Sequence, residues 1–429
     1  MSNCESIAGL NVIMLLSSNL ERDARVQKEA RSLAEAGANV TIIWHGRLDA
    51  DSSLRAEKYS AIEAEEAPLK FPMPKLGEDA VFWPLRVAVN LTYTKWKHSR
   101  IVDRQIAQMN NFHLPNVDRE AFIPAMFDTA ESLCVDVVHA HDLDTLYTAS
   151  VIAASHGAKL VYDSHELFLG MSSLTKEQIR LFQAVETSVF PLIDALITVS
   201  PAITNRLLED YSYDGLEPIT LYNGGVFVTE QAQPLHNPVR IIFQGYFERD
   251  RNLIGLIAAM DPLRGRATLT LQGWGTEELE DELREAILLH KLEKVVSIVD
   301  PAKPLEVVRS AQNYDIGVIN SVAIDDNFQT TLPNKLFDYM AAGLAIASTD
   351  LPPIKQVIDD SRCGVTFTQG SVESTSEALL SLIDDRETLQ LMKRASFYSA
   401  PNYSWPAQER KLVSLYTKLA TSVRDDAHE

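Results

Sequence analysis

The sequence is poor in cysteine: Cys4, Cys134 and Cys363 are the only three in 429 residues, and no C-x-x-C pair occurs. That excludes a disulfide framework and a cysteine zinc cage, and a reducing cytoplasm is the expected compartment. Positive charge is also scarce, with 39 Lys and Arg against 59 Asp and Glu and a formal net charge of −20. A surface this acidic repels phosphodiester backbones, so nucleic acid is excluded as a nonspecific partner. Any anionic ligand must then be met by a few placed cations. Long apolar runs are missing too: nowhere do 18 apolar residues follow one another, so no membrane-spanning helix is expected. The short run from Leu10 to Leu16 has Glu5 ahead of it instead of a basic segment, and no small-residue cleavage site follows. It reads as a buried first strand and not as a signal peptide.

What is present is enough apolar material, 46% of residues, for sizeable cores, and a length that suggests two or three domains. Apolar strand-like runs alternate with helix-periodic stretches. "NVIMLL" (11–16) precedes "ARVQKEARSLAEAG" (24–37), in which Val26, Ala30, Leu33 and Ala34 share a helical face; Gly37 then stops the helix before "NVTIIWH" (39–45). This is a βαβ unit. Further strands are expected at 135–141, 158–165, 195–200 and 219–223. A polar, proline-containing linker spans 228–239, and strands resume at 240–245, 267–273, 295–300, 314–320 and 344–349. Two successive α/β units predict two facing Rossmann-like, doubly wound domains. The expected division is 1–227, then 240–400, with a last helix in 401–429.

Residues 68–125 break the rhythm as a longer, irregular, partly helical segment. Within 82–104, Arg86, Lys95, Lys97, Arg100 and Arg104 face only Asp103 and are interleaved with Phe82, Trp83, Tyr93 and Trp96. Basic and aromatic residues together suit anionic lipid headgroups, so peripheral contact with the inner face of a membrane is one expectation. A solvated helical excursion is the other.

The strongest constellation is "TTLPNKLFDYMAAGLAIAST" (330–349). Leu332 and Pro333 lead into a helix whose first backbone N–H groups, with Lys335 beside them, make an anion site suited to a diphosphate. Asp338 lies one turn beyond Asn334, where a carboxylate can accept hydrogen bonds from sugar hydroxyls. A purely structural helix explains the small residues Ala341, Ala342 and Gly343 but not Pro, Asn, Lys and Asp gathered at its start.

Here the chain resembles the nucleotide-sugar-dependent glycosyltransferases of GT-B fold, specifically the retaining family 4. "LPNKLFDYMAAGLAIAS" is similar to that family's donor-site helix. Supporting matches are "RVQKEARSLAEAGANVTII", "DVVHAHDLDTL", "LVYDSHELF", "ITVSPAITNRL", "LYNGG" and "FQGYFERDRNL". The resemblance implies an N-terminal acceptor domain, a C-terminal donor domain, a cleft between them and a final helix crossing back to the first domain. It also implies retention of anomeric configuration and independence of metal. The nucleotide-sugar is then a co-substrate, no cofactor is needed, and the acceptor is a glycan or a lipid-linked sugar.

Carried over residue by residue, the family's Glu-x7-Glu pair falls on Thr330 and Asp338, so one carboxylate survives, for ribose hydroxyls. Its phosphate-neutralising Arg and Lys fall near Tyr246 and Asn252, neither of them cationic; Arg251, with Arg249 two residues before it, offers the displaced charge. The donor set is therefore Gly245, Tyr246, Arg251, Thr330, Leu332, Pro333, Asn334, Lys335 and Asp338, and Arg251 and Lys335 are expected to compensate the leaving diphosphate.

In the first domain His141 ends a strand and by resemblance approaches the donor sugar. Arg22, Arg25, His165 and Glu166 are the acceptor-side candidates. His139 and His141 share a strand face and His165 could join them, but no third ligand stands at a recognisable zinc spacing, so no metal is expected. Asp142-Leu143-Asp144 spells the DxD of metal-dependent transferases, yet it opens a helix, where aspartates are expected as caps. Asn223-Gly224-Gly225 reads as a turn at the domain crossing. Two other functions stay open: a sugar-nucleotide 2-epimerase, for which His141, His165 and Glu166 offer acid/base groups, and a non-catalytic partner protein, suggested by Thr330, Tyr246 and Asn252.

Overall fold

Strands buried on both faces are apolar at nearly every position, and that is how the strand Asn11–Leu16 is built. A computed structural model describes residues 6–18, 20, 23–44, 60–63, 124–225, 233–303 and 306–426. Arg22, nearly all of the 68–125 segment with its basic-aromatic stretch, and part of the expected linker lie outside the described residues. The chain divides into two compact units, Met1–Leu221 with Glu409–Glu429, and Tyr222–Gln408.

Among the described residues the first unit contains a seven-stranded sheet in the order β3-β2-β1-β4-β5-β6-β7. Its strands are β1 (Asn11–Leu16), β2 (Asn39–Trp44), β3 (Ser60–Glu63), β4 (Val137–His141), β5 (Lys159–Ser164), β6 (Ala195–Thr198) and β7 (Leu216–Thr220). The pairings are parallel, with Val12 opposite both Val40 and Val137, and His139 opposite Val161. Ile13, Leu15, Val138 and Ala140 pack on one face against the helices Leu143–His156 and Lys176–Val189, through Leu146, Phe182 and Val185. The helix Ala24–Glu35 is capped by Asp23, whose carboxylate accepts from the backbone N–H groups of Arg25 and Val26.

The second unit's sheet runs β10-β9-β8-β11-β12-β13, again parallel. It is formed by β8 (Val239–Tyr246), β9 (Ala267–Trp274), β10 (Val296–Val299), β11 (Ile316–Ile319), β12 (Ala345–Thr349) and β13 (Gly364–Phe367). Side chains alternate along β8 as the period of two demands. Ile241 and Phe243 enter the core with the helices Leu253–Ala259, Glu277–Leu289 and Val372–Asp384, while Ile242 enters the opposite core with Asn334–Ala341 and Pro352–Ser361. These are two doubly wound α/β units, as expected.

Several boundaries differ from the sequence reading. The strand placed at 219–223 is Leu216–Thr220, and β3 and β13, four residues each, are too short to stand out from loop sequence. The limit placed at residue 401 falls inside the helix Arg386–Tyr403, and the last helix begins at Trp405 and runs to Asp426. Among the described residues no helix is long and apolar enough to cross a membrane.

Candidate functional site

Each sheet reverses its strand order once, between β1 and β4 and between β8 and β11. In open α/β sheets ligands lie beyond the carboxyl ends of the strands at that reversal. Most residues singled out from the sequence collect at these two places.

In the second unit the next-to-last residue of β8 is Gly245, whose φ of +131° is a conformation that L side chains rarely adopt; a Cβ there would lie 3.5 Å from Lys335 Nζ. Lys335 rises from the first turn of the eight-residue helix Asn334–Ala341, with its ammonium 4.4 Å from the centre of the Phe243 ring. Burial, aided by the charge of Arg251, pushes its pKa down to about 7 against the opposing pull of Asp250, Glu248 and Asp338. Pro333 occupies the cap position and supplies no capping side chain. The first N–H groups of the helix have no acceptor inside it and are suited to an anion. Leu332 is buried, Asn334 is exposed, and Asp338 is half-buried in the second turn.

Arg251 lies at the end of a short 3₁₀ turn, Arg249–Arg251. One guanidinium nitrogen donates to Ser321 Oγ at 3.1 Å, the other reaches Glu248 at 3.3 Å, and the group sits 5.3 Å from the centre of the Phe328 ring. Arg249 instead forms a bidentate surface pair with Glu282 at 2.7 and 3.0 Å. Asn252 adopts the left-handed conformation (φ 43°, ψ 44°), which Asn tolerates better than Lys, and its carbonyl accepts from Asn320 Nδ2 at 2.8 Å. That backbone is a physical reason for an Asn at the position where the resemblance implies a cation. Asn320 Oδ1 is left buried without a partner. Thr330 ends the helix Asp326–Thr330, and its hydroxyl donates back to the carbonyls of Asp326 and Asn327, 3.1 Å from each. Tyr246 is 41% exposed and meets the edge of Trp274, 51% exposed. Sequence reasoning missed Glu248, Asp250, Asn320 and Ser321. The signal was their place just after a strand at the sheet's reversal, which only the strand order reveals.

In the first unit the ends of β4 and β5 carry a buried polar cluster. Arg25, 3% exposed, donates to both oxygens of Asp163 at 2.7 and 2.9 Å and to the Leu221 carbonyl at 2.8 Å, and its Nε is 3.0 Å from Glu29. The residue expected on the acceptor side thus uses its fork inside the unit. Burial opposes ionisation of Asp163, but Arg25 and His165 overcome it and hold the carboxyl well below the usual range. Glu29 is pushed up to about 8, by burial and by Asp163. His139 stacks on His141, ring centres 4.3 Å apart, and its Nδ1 is 2.7 Å from the hydroxyl of Tyr416 on the last helix. His141 Nδ1 is 3.1 Å from His165 Nε2, which is also 3.0 Å from Asp163 Oδ2. Burial drives the pKa of His141 well down. For His165 burial acts in the same direction, but Asp142 and Asp163 prevail and raise it to about 10. Glu166 next to it is exposed.

Asp142 corrects the capping expectation. It stands at the cap position of Leu143–His156 but makes no capping bond; its carboxylate accepts from the His165 backbone N–H at 2.9 Å. Its backbone (φ 61°, ψ 170°) lies in a region almost reserved for glycine, a strain of about 1–3 kcal/mol that persists only where the surroundings over-determine it. Asp144 accepts from the Ser17 hydroxyl.

Glu29, His139, His141 and Asp163 bring four potential metal-ligating atoms within 4.8 Å of one another, two of them from residues that the sequence reading did not single out. The composition suits a divalent cation, but both Asp163 oxygens already accept from cations, Arg25 twice and His165 once. Opposing charges occupy the place of an ion, so the set fits a metal poorly.

Comparison with known proteins agrees in both halves. Residues 23–224 match the family described as Glycosyl transferase 4-like domain, and residues 238–385 match Glycosyl transferases group 1. A glycogen synthase of Mycobacterium tuberculosis is 24% identical over 270 residues, covering 61% of this chain and 63% of that protein. The chain thus spans less than two thirds of that relative's length. Among solved structures, a glycosyltransferase from Rickettsia africae superposes with a TM-score of 0.69 at 14% identity, covering 96% of this chain and 98% of that one. Anabaena HepE in complex with UDP and glucose superposes with a TM-score of 0.64 at 12% identity, covering 97% and 100%.

Proposed function

Because the chain belongs to the GT-B glycosyltransferases through both of its units, we propose that it moves a sugar from a nucleotide-sugar donor to a hydroxyl of a glycan or lipid-linked acceptor. The observation that carries this is the gathering of Arg251, Lys335 and the start of Asn334–Ala341 around Gly245, at the carboxyl ends of the second sheet's strands. In a protein of net charge −20 these cations stand where a diphosphate would lie. UDP in the HepE complex is consistent with such a ligand. Asp338 is assigned to the ribose hydroxyls.

The step proposed is a front-face displacement with retention. The acceptor oxygen bonds to the anomeric carbon on the side from which the phosphate oxygen departs, and the acceptor's proton passes to that phosphate. Negative charge grows on the diphosphate as the glycosidic bond breaks, and Arg251, Lys335 and the helix N–H groups meet it without a metal ion. Uncompensated, a buried diphosphate costs several kcal/mol.

The test is incubation with UDP-, GDP- and dTDP-sugars and candidate acceptors, following nucleotide release, with the anomer of the product read by NMR. One donor turning over with retention, equally well in EDTA, is the expected result. Acceptor-free interconversion of sugar nucleotides would replace the reading with an epimerase. No thermal shift with any nucleotide would replace it with a non-catalytic protein.

A further inference from the structure

We propose that the edge strand β10 is a self-pairing surface: a second copy of this chain binds there antiparallel, about a twofold axis at Ser297, and joins the two second-unit sheets into one. The inference goes beyond the transferase reading and does not depend on it or on the donor site.

Among the described residues β10 is paired only with β9, Ser297 opposite Thr270 and Val299 opposite Gln272, and it forms one edge of the second sheet. An open edge is a template for another strand. Along a strand the backbone groups of successive residues turn to opposite sides. The Val295 carbonyl accepts from the Leu269 N–H at 2.8 Å, so Val295, Ser297 and Val299 turn their groups to β9, while Val296 and Ile298 turn theirs outward. Other edges are better guarded. The residues of β13 are buried or half-buried, and β7 carries Pro218, which has no N–H to offer. In β10, by contrast, Ser297 and Val299 are exposed, and the helix that leads into it ends in Leu288 and Leu289, 60% and 79% exposed.

The sequence around the strand selects the occupant. Residues 294–300, "KVVSIVD", are complementary to themselves when laid antiparallel with the axis at Ser297. Lys294 then faces Asp300 of the second copy, Val295 faces Val299 and Val296 faces Ile298, each contact occurring twice. The outward Ile298 N–H meets the outward Val296 carbonyl of the second copy. The Val296 N–H is already held by the Leu292 carbonyl at 2.8 Å, so one such bond runs from each strand. Lys294 and Asp300 are both exposed, and neither has an ion-pair partner among the described residues. Opposite charges facing across two strands favour pairing, and like charges oppose it. Outward groups must face outward groups, so the neighbouring axes are at Val296 and at Ile298. The first sets Lys294 against Ile298, and the second sets Asp300 against Val296. The axis at Ser297 alone matches charge with charge and apolar with apolar.

The experiment uses the full chain in sedimentation velocity. A short edge gives a small interface, so the expected result is a monomer that becomes a dimer as concentration rises from about 1 to 100 µM. Lys294→Asp and Asp300→Lys should each weaken self-association by at least about tenfold, since each sets like charges opposite one another twice. An equimolar mixture of the two variants should form a heterodimer about as tight as the wild-type dimer, because the mixture restores both unlike pairs; that rescue also shows both variants to be folded. With Cys4 and Cys134 changed to Ser, Ser297→Cys should link two chains on mild oxidation, because residues facing at such a position have Cα atoms about 4.5 Å apart. Val299→Cys, which faces Val295 and not itself, should not. A wild-type chain that stays monomeric throughout, a dimer indifferent to both charge reversals, or a mixture that does not heterodimerise would each overturn the proposal. Linking through Val299→Cys but not through Ser297→Cys would overturn it as well.

Discussion

Lys335 is the residue on which the most direct prediction rests. Its side chain is half-buried, with the ammonium over the ring of Phe243 and within the field of Arg251, and its pKa is lowered to about 7. A bound diphosphate favours the charged form, so binding takes up a proton wherever the free group is neutral. The affinity of a nucleoside diphosphate should be flat just below pH 7 and fall as pH rises from 7 to 9, by up to tenfold per unit. Lys335→Met should remove that slope and weaken binding at pH 7. Calorimetry in buffers of different ionisation enthalpy checks the proton uptake directly. The sequence already pointed to Lys335 and Asp338, because Pro, Asn, Lys and Asp at a helix start are chemically conspicuous. It could not point to Asp163 or Glu29, since a buried acid looks like a solvated one until the strand that carries it is placed. Arg25 shows the same limit. Its charge was legible, but its direction was not, because nothing in "RDARVQKEA" says that the turn delivers the guanidinium to a carboxylate 138 residues away.

At the scale of elements, strand and helix types followed from periodicity, and β-run lengths of five to eight residues were enough to place most of both sheets. The strand order was accessible only as a class, since parallel crossovers allow more than one order. That order is what brings Ser321 beside Arg251 and Asn320 beside Asn252. One packing detail couples the second sheet to its donor helix. Gly317 in β11 lies under the ring of Tyr339, so a Cβ there would sit 2.3 Å from it, and the Tyr339 hydroxyl accepts from the Gln244 N–H at 2.8 Å. Gly317→Ala should push that ring away, destabilise the second unit by about 1–3 kcal/mol, and loosen Gly245, the residue after Gln244. The readouts are a lower melting temperature and a weaker thermal shift with nucleotide. Retention of both would mean that the helix Asn334–Ala341 and β8 do not depend on this contact.

For the whole molecule the acidic surface and the basic-aromatic stretch 82–104 make opposite demands on a charged membrane. If the stretch is the lipid contact expected from its composition, the protein should bind vesicles containing anionic lipid in low salt and release them as salt screens the charges. Changing Lys95, Lys97 and Arg100 to Ser should abolish that binding; binding that survives the three changes would locate it elsewhere. Variants in the second unit, such as Lys335→Met, should leave it untouched, so lipid and nucleotide can be followed independently.

The last helix, Trp405–Asp426, crosses the division between the units at Glu409 and delivers Tyr416 to His139. The first unit is therefore started before the second but finished after it. During synthesis residues 222–408 emerge, with every strand of their own sheet, while the histidine cluster still lacks its phenol and the carbonyl of Thr220 still lacks Lys411. The order of completion is thus inverted relative to the order of translation. A released chain truncated after residue 408 should carry a protease-resistant second unit attached to a first unit that is still open to cleavage.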